Sequence, residues 1–398
     1  MLEVIVFICG AALMGIEFLA ARMLAPSLGS SLFVWGSVIS IVMVALSLGY
    51  WLGGQIADRY GSTRTLAPII AVAGLFTALV PALNAVVLPA VEGLGARTGS
   101  LLASAIVFFV PSLLLAMVSP LGVRLVAARG VEHIGRSAGS LYAISTAGSI
   151  AGTLLTAFWL IPLMGLDPLV IGIAVLLFFS SALATTLPAR YSEVAFEDAG
   201  ATKHAKLARW VTLGAMVAGV TVAVMTLGVP DSATVAGSPG ERVIYRKDTQ
   251  YHRLWVTEDA EERTLRFDRS RQSAMYLNDP YETSFRYPNY LHLVMAAKPD
   301  AKRVLIVGLG GGSLVKRMLR DYPETKIDVV EIDPVVVDVA KRMFELREDP
   351  RLRILGTRED GDHAIRVHGG TARLTVGAEA HDLSLAYVRR TIVNQPPK

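Results

Sequence analysis

Cysteine is almost missing from this sequence: Cys9 stands alone among 398 residues. One thiol cannot close an intrachain disulfide or build a multi-cysteine metal site. Histidine is scarce too, at seven residues, and His363 and His368 show no metal-binding spacing, so no metal is expected. Charge is missing from a whole half of the chain. Of 72 Asp, Glu, Lys and Arg residues, only 20 fall in residues 1–228 and 52 fall in the last 170. A single water-soluble core does not produce that asymmetry; a lipid-embedded part followed by a soluble part does. The net charge of +4 is modest and spread out, which gives little support to nucleic-acid binding.

What fills residues 1–228 is apolar sequence in about seven long segments, roughly 2–25, 33–56, 66–90, 101–127, 138–162, 167–187 and 208–228. Each is long enough to cross a hydrocarbon core of about 30 Å as a helix. Backbone polar groups in lipid must pair within the segment, which leaves helices as the economical reading. The first segment carries Glu17 and Arg22, lacks a basic leader and is followed by more spans, so it does not read as a cleavable signal. The expectation is a multi-pass helical bundle in the cell membrane, with the lipid bilayer as its partner. Gly49 and Gly53, like Gly148 and Gly152, are four apart and would let helices pack closely. Glu17 lies in mid-span, where an ionisable group is costly. It is read either as a functional group or as a clamp on Arg22 or Arg124.

Lys and Arg cluster after the second (Arg59, Arg64), fourth (Arg124, Arg129, Arg136) and sixth spans (Arg190, Lys203, Lys206, Arg209). The positive-inside rule then puts these loops and the N-terminus in the cytoplasm. A true seventh span would leave residues 230–398 on the other side. A re-entrant or interfacial seventh segment would keep them in the cytoplasm. Both arrangements stay open.

The soluble part opens at 229–300 with short alternating strands such as Leu254-Trp255-Val256 and Thr264-Leu265-Arg266-Phe267. From 301 to 366 the pattern changes. The apolar run Val304–Val307 meets Gly308-Leu309-Gly310-Gly311-Gly312-Ser313, a helical stretch follows to Asp321, and Ile327–Val330 ends in Glu331-Ile332-Asp333. Strand, glycine turn, helix and second strand with a terminal acid make a Rossmann-like nucleoside-binding half. Glycines let the backbone approach the ligand without a Cβ in the way. Glu331 lies 23 residues after Gly308, close to the roughly 20 expected of an acid that bonds ribose hydroxyls.

These motifs resemble the spermidine synthases, aminopropyltransferases on the class I methyltransferase fold, and more narrowly their membrane-fused relatives. The similarity runs over the N-terminal spans and the soluble part to about residue 366. Tyr251-His252 stands where the family has Tyr-Gln, and Phe267-Asp268-Arg269-Ser270-Arg271-Gln272 where it has Leu-Asp-x-x-x-Gln. Glu331-Ile332-Asp333 matches its Glu-Ile-Asp, and Asp360-Gly361 falls where an Asp-Ala or Asp-Gly pair sits beside the adenine. Tyr287 and His292 lie where the family has a Tyr-His element. The resemblance implies cofactor contacts from Gly308, Gly310, Gly312, Glu331, Asp333, Asp360, Gly361, Gln272 and His252. The co-substrate it implies is decarboxylated S-adenosylmethionine, or S-adenosylmethionine itself, with putrescine or a related polyamine as acceptor. Homo-oligomer formation is left open.

The sequence also departs from the family. The Asp within the family's glycine motif, implied to hold the amino group of the decarboxylated cofactor, is Gly311 here. The family's next strand ends in an Asp implied to deprotonate or orient the attacking amine. In its place stands Ala372-Arg373-Leu374-Thr375-Val376, and Asp382 is a poor, later substitute, so no catalytic residue is named. The segment 367–398 matches nothing in the family, and the α/β domain reads as incomplete at its C-terminus, with room for roughly four strands. A shortened or frame-altered product would account for it. Two other functions are carried alongside: a membrane-associated S-adenosylmethionine-dependent methyltransferase, and a non-catalytic transporter-like bundle with a vestigial domain. Gly54 to Gly61 resembles the cytoplasmic loop motif of major facilitator transporters, although no second half of six spans follows.

Overall fold

The computed structural model describes the chain apart from residues 61–62, 128–133, 188–200, 229–239, 250, 269, 357–362, 369–370, 377–378 and 385–398. Two compact units result: Met1–Trp255 with Phe267–Ser270, and Val256–Arg266 with Arg271–Lys398.

The first unit is built on helices α1 (Leu2–Leu28), α2 (Leu32–Tyr60), α3 (Thr63–Val91), α4 (Gly95–Ala116), α5 (Val118–Ala127), α6 (Ile134–Leu155), α7 (Ile161–Met164), α8 (Leu166–Thr185) and α9 (Ala201–Gly228). Among the described residues, six stretches are long and apolar enough to cross a membrane by length and composition. The third, Thr65–Ala127, contains both α3 and α4, which the sequence pattern separates into two segments. Side chains such as Leu19, Leu24, Leu66, Ile70, Phe108, Leu121 and Leu177 fill the bundle core. Its outside is also apolar, with Trp35, Met43, Trp51, Phe158, Phe179, Trp210 and Val217 exposed. Apolar side chains therefore occupy both the inner and the outer faces of these helices.

The spaced glycines do what the sequence suggests. A Cβ at Gly148 would fall within 3 Å of the Phe7 main chain, and one at Gly152 within 3 Å of the Ala11 main chain. One at Gly49 would lie 2.5 Å from the Leu113 carbonyl oxygen, and one at Gly53 2.8 Å from Met117 Cα. Without side chains at these positions, α6 closes on α1 and α2 closes on α4 and its exit. Hydroxyls also bridge helices, α2 to α4 through Ser37 and Ser100 at 2.7 Å and α8 to α3 through Ser181 and the Ala67 carbonyl at 2.7 Å.

Strands β1 (Arg242–Asp248), β2 (Arg253–Glu258), β3 (Glu262–Phe267) and β4 (Ser270–Tyr276) form one sheet in sequence order. The first unit includes β1 and the start of β2, because buried polar contacts fasten them to helix ends. Asp248 accepts from the Leu166 amide at 2.9 Å and from Arg253 Nε at 2.6 Å. Arg246 pairs with Asp167 at 2.7 Å. Burial raises the Asp248 carboxyl, but Arg253, the Leu166 amide and Arg246 outweigh burial and hold it below its ordinary value. Arg22 donates to the carbonyls of Thr249 (2.7 Å) and Tyr251 (2.8 Å). The clamp from Arg22 to Glu17 is therefore not formed, and Glu17 Oε2 is buried with no hydrogen-bond partner among the described residues.

In the second unit, short helices α10 (Tyr287–Leu291) and α11 (Leu293–Ala297) precede β5 (Arg303–Val307), α12 (Ser313–Asp321), β6 (Lys326–Glu331), α13 (Pro334–Met343) and β7 (Leu352–Gly356). Strands β5, β6 and β7 are parallel and adjacent in that order, as helix crossovers require. Asp328 on the middle strand is tied to Arg303 at 2.7 Å and Arg353 at 2.9 Å, which pins all three. Then β8 (His363–His368), β9 (Thr371–Val376) and β10 (Glu379–Ser384) form a separate antiparallel sheet. Ala372–Val376, which stands where the family has its next strand, is the middle strand of this antiparallel sheet. Only two residues separate β8 from β9 and β9 from β10. Connections that short permit hairpins, while a parallel crossover needs a dozen residues or more.

Candidate functional site

The glycine turn begins where β5 ends. Gly308, Gly310 and Gly312 have φ of 92°, 57° and 74°, a left-handed region that side chains disfavour. A Cβ at Gly308 would meet nothing within 4 Å, so open space adjoins the turn at its first glycine. Gly312 caps α12, whose first-turn amides leave a partial positive charge beside the turn.

Glu331, the last residue of β6, is 7% exposed. One carboxylate oxygen accepts from the Leu309 amide at 2.8 Å, and the other accepts from the Asp333 amide at 3.0 Å. The acid thus holds the glycine turn in place. An ionised carboxylate has about four acceptor sites, so about two remain for hydroxyls of a ligand. Asp333, 1% exposed, accepts from the Val335 amide at 2.9 Å and caps α13. Its placement gives it a structural task beside the one expected from the sequence.

The structure also brings forward residues the sequence does not single out. Ser273 on β4 lies against the turn: its hydroxyl is 3.2 Å from that of Ser313, which donates to the Ala274 carbonyl at 2.9 Å. A Cβ at Gly311 would lie 2.8 Å from Phe344 Cδ1 and 3.0 Å from Ser273 Oγ. Position 311 therefore has no room for a side chain unless those neighbours move. Lys316, buried on α12, donates to the Phe344 carbonyl at 2.6 Å and contacts Met275 Sδ at 3.2 Å. Burial pulls its ammonium down to about 8, with Glu345 and Asp279 opposing. These hydrogen bonds join residues 28 to 41 apart in sequence, and no local spacing announces them.

The remaining sequence candidates are dispersed. Gln272 precedes Ser273 on β4, so strand alternation turns its side chain to the opposite face, and its carbonyl accepts from the Tyr287 hydroxyl at 3.4 Å. His252 belongs to the first unit and stacks on Phe267 with ring centroids 3.6 Å apart. His292 meets the Tyr322 hydroxyl through Nδ1 at 3.3 Å. Asp360 and Gly361 lie outside the described residues. Among the described residues no group of His, Cys, Asp and Glu is placed to hold a metal ion.

The sequence model of the spermine/spermidine synthase domain matches residues 285–359, from just before α10 through β7. A polyamine aminopropyltransferase of Vibrio vulnificus is 32% identical over 141 residues, covering 34% of this chain and 42% of that protein. Over these residues the chain is spermidine synthase-like. A second polyamine aminopropyltransferase, from Clostridium beijerinckii, is 31% identical over 132 residues, covering 32% of this chain and 44% of the other. An eEF1A lysine and N-terminal methyltransferase homolog of Drosophila pseudoobscura pseudoobscura is 43% identical over 58 residues, 15% of this chain and 9% of that one. A crystal structure of spermidine synthase in complex with the transition state analogue AdoDATO superposes with a TM-score of 0.25 and 25% identity. It covers 29% of this chain and 40% of the other, and the likeness is local. The spermidine synthase-like chain spans less than half the length of the aminopropyltransferases it matches.

Proposed function

We propose that this spermidine synthase-like protein is a membrane-anchored transferase that binds decarboxylated S-adenosylmethionine and passes its aminopropyl group to putrescine or a related amine. The observation that carries the reading is the turn between β5 and α12, with three left-handed glycines and a buried Glu331 bonded to it. The nucleoside would lie over Gly308 with its ribose on Glu331, and Asp360 with Gly361 would serve the adenine edge. The co-substrate's sulfonium makes the adjacent carbon electrophilic. A neutral amine attacks that carbon, the carbon–sulfur bond breaks, methylthioadenosine leaves and the new ammonium loses a proton. The protein's part is to orient the two reactants, which turns a bimolecular encounter into an intramolecular one. Anchoring is supported by the six long apolar stretches and by the apolar exterior of the bundle.

One observation favours a second reading, an S-adenosylmethionine-dependent methyltransferase. Gly311 replaces the acid implied to grip the decarboxylated cofactor, and Phe344 and Ser273 fill the space a side chain there would need. The match to a methyltransferase homolog points the same way. Membranes bearing the full chain, supplied with putrescine and decarboxylated S-adenosylmethionine, should release methylthioadenosine and a longer polyamine. Release of S-adenosylhomocysteine from S-adenosylmethionine would establish the second reading. Turnover of neither would leave the non-catalytic bundle.

A further inference from the structure

We infer that the nucleoside-binding half of this protein is displayed on the non-cytoplasmic side of the membrane, so that its nucleoside must come from that compartment. The inference rests on the membrane reading above and goes beyond it, because the sequence leaves the last span undecided. Three observations fix the direction. First, α9 is one continuous helix of 28 residues, and its contacts run antiparallel to α8. A Cβ at Gly219 would fall within 3 Å of the Phe178 ring, and further along α9 Ala223 clusters with Ile171 and Ala174, earlier on α8. The end of α9 therefore arrives at the end of the bundle where α8 begins, opposite Met1. A re-entrant or interfacial helix would not run alongside α8 in this way.

Second, the chain is fastened where it emerges. Asp248 bonds the Leu166 amide and Arg253, Arg246 pairs with Asp167, and Arg22 near the end of α1 holds the carbonyls of Thr249 and Tyr251. All of these groups belong to one unit. They set the β1–β2 connection on the bundle end formed by the last turns of α1 and the first turn of α8. Beyond Met225 no described stretch is long and apolar enough to cross back.

Third, the two bundle ends differ in charge. Among the described residues, the helix ends on the Met1 side carry Arg59, Arg124, Arg136 and Arg209. Among the described residues, the helix ends on the opposite side carry Arg22 and Arg97, besides the arginines of the docked hairpin that are paired with Asp167 and Asp248; the Arg97 guanidinium sits 4.7 Å over the Phe33 ring. The basic end belongs in the cytoplasm. The docked hairpin, and the chain that continues from it, belong on the other side. A sulfonium nucleoside made in the cytosol would have to be exported before this site could use it.

Single-cysteine labelling of the full chain tests this, since Cys9 is the one native thiol and is buried. In a Cys9→Ser background, an impermeant maleimide should label Lys298→Cys or Asp300→Cys on intact cells. It should label Asp58→Cys only after lysis; all three positions are exposed. Labelling of Asp58→Cys alone on intact cells would overturn the inference. So would labelling of all positions only after lysis while the chain resists alkaline carbonate extraction. If instead carbonate releases the chain from membranes, the membrane reading itself fails.

Discussion

Replacing Glu331 by Gln probes the ligand-facing role and the turn-holding role together. The carboxylate takes two main-chain bonds, from Leu309 at 2.8 Å and Asp333 at 3.0 Å. Gln keeps one acceptor oxygen and turns an NH2 group toward the other amide. Leaving one buried donor unpaired costs about 1–3 kcal/mol of stability. The loss to the ligand is separate. Hydrogen bonds to a charged group contribute about 1.5–3 kcal/mol each, so losing one ribose bond weakens binding roughly 10- to 100-fold. The assay is calorimetric titration of the full chain in detergent with methylthioadenosine, beside a melting curve of each variant. Glu324→Gln is the control, because Glu324 is exposed and its partner among the described residues is Lys302 at 2.7 Å; it should bind as wild type does. A folded Glu331→Gln protein that binds within twofold of wild type would refute the assignment of ribose to this residue.

Three further outcomes follow from buried groups. Gly311→Ala should lower the melting temperature of the second unit, since its Cβ would stand 2.8 Å from the buried Phe344 ring; overpacking of this kind costs about 1–3 kcal/mol. Lys316 is held at about 8 against an ordinary 10.5, so between those values the unfolded chain binds more protons than the folded one. Stability of that unit should therefore rise from pH 8 toward 10, by at most about 3 kcal/mol, and Lys316→Met should flatten the profile in denaturant melts. Asp248→Asn leaves the buried Arg253 guanidinium without its carboxylate and should cost about 3–5 kcal/mol in the first unit. Because the Asp248 pKa is depressed, wild type should lose this stabilisation only as pH falls through that lowered value, whereas the variant should show no such acid-side loss.

The legible parts of this chain are those written in local spacing. Helix length, glycines four apart and the turn from Gly308 to Ser313 all act within a few residues, and a periodic pattern exposes them. The distance from Gly308 to Glu331 is legible because a strand–helix–strand unit fixes it. What escaped the sequence is pairing over long separations. Nothing near Asp248 announces that it bonds the Leu166 amide 82 residues earlier. Ser273 and Phe344 close the space at Gly311 from two other elements, and no strand pattern shows which side chains face the turn. The antiparallel β8–β10 sheet is not legible in the sequence for another reason. Ala372–Val376 alone reads as a strand, and only the two-residue connections on either side decide its direction.

The central claim is that the turn at Gly308–Gly312, backed by Glu331, holds a sulfonium nucleoside. Isothermal titration of the purified full chain with decarboxylated S-adenosylmethionine tests it most directly. Saturable binding at one site per chain, displaced by methylthioadenosine, is the predicted result. A folded chain that takes up neither this compound nor S-adenosylmethionine would contradict it.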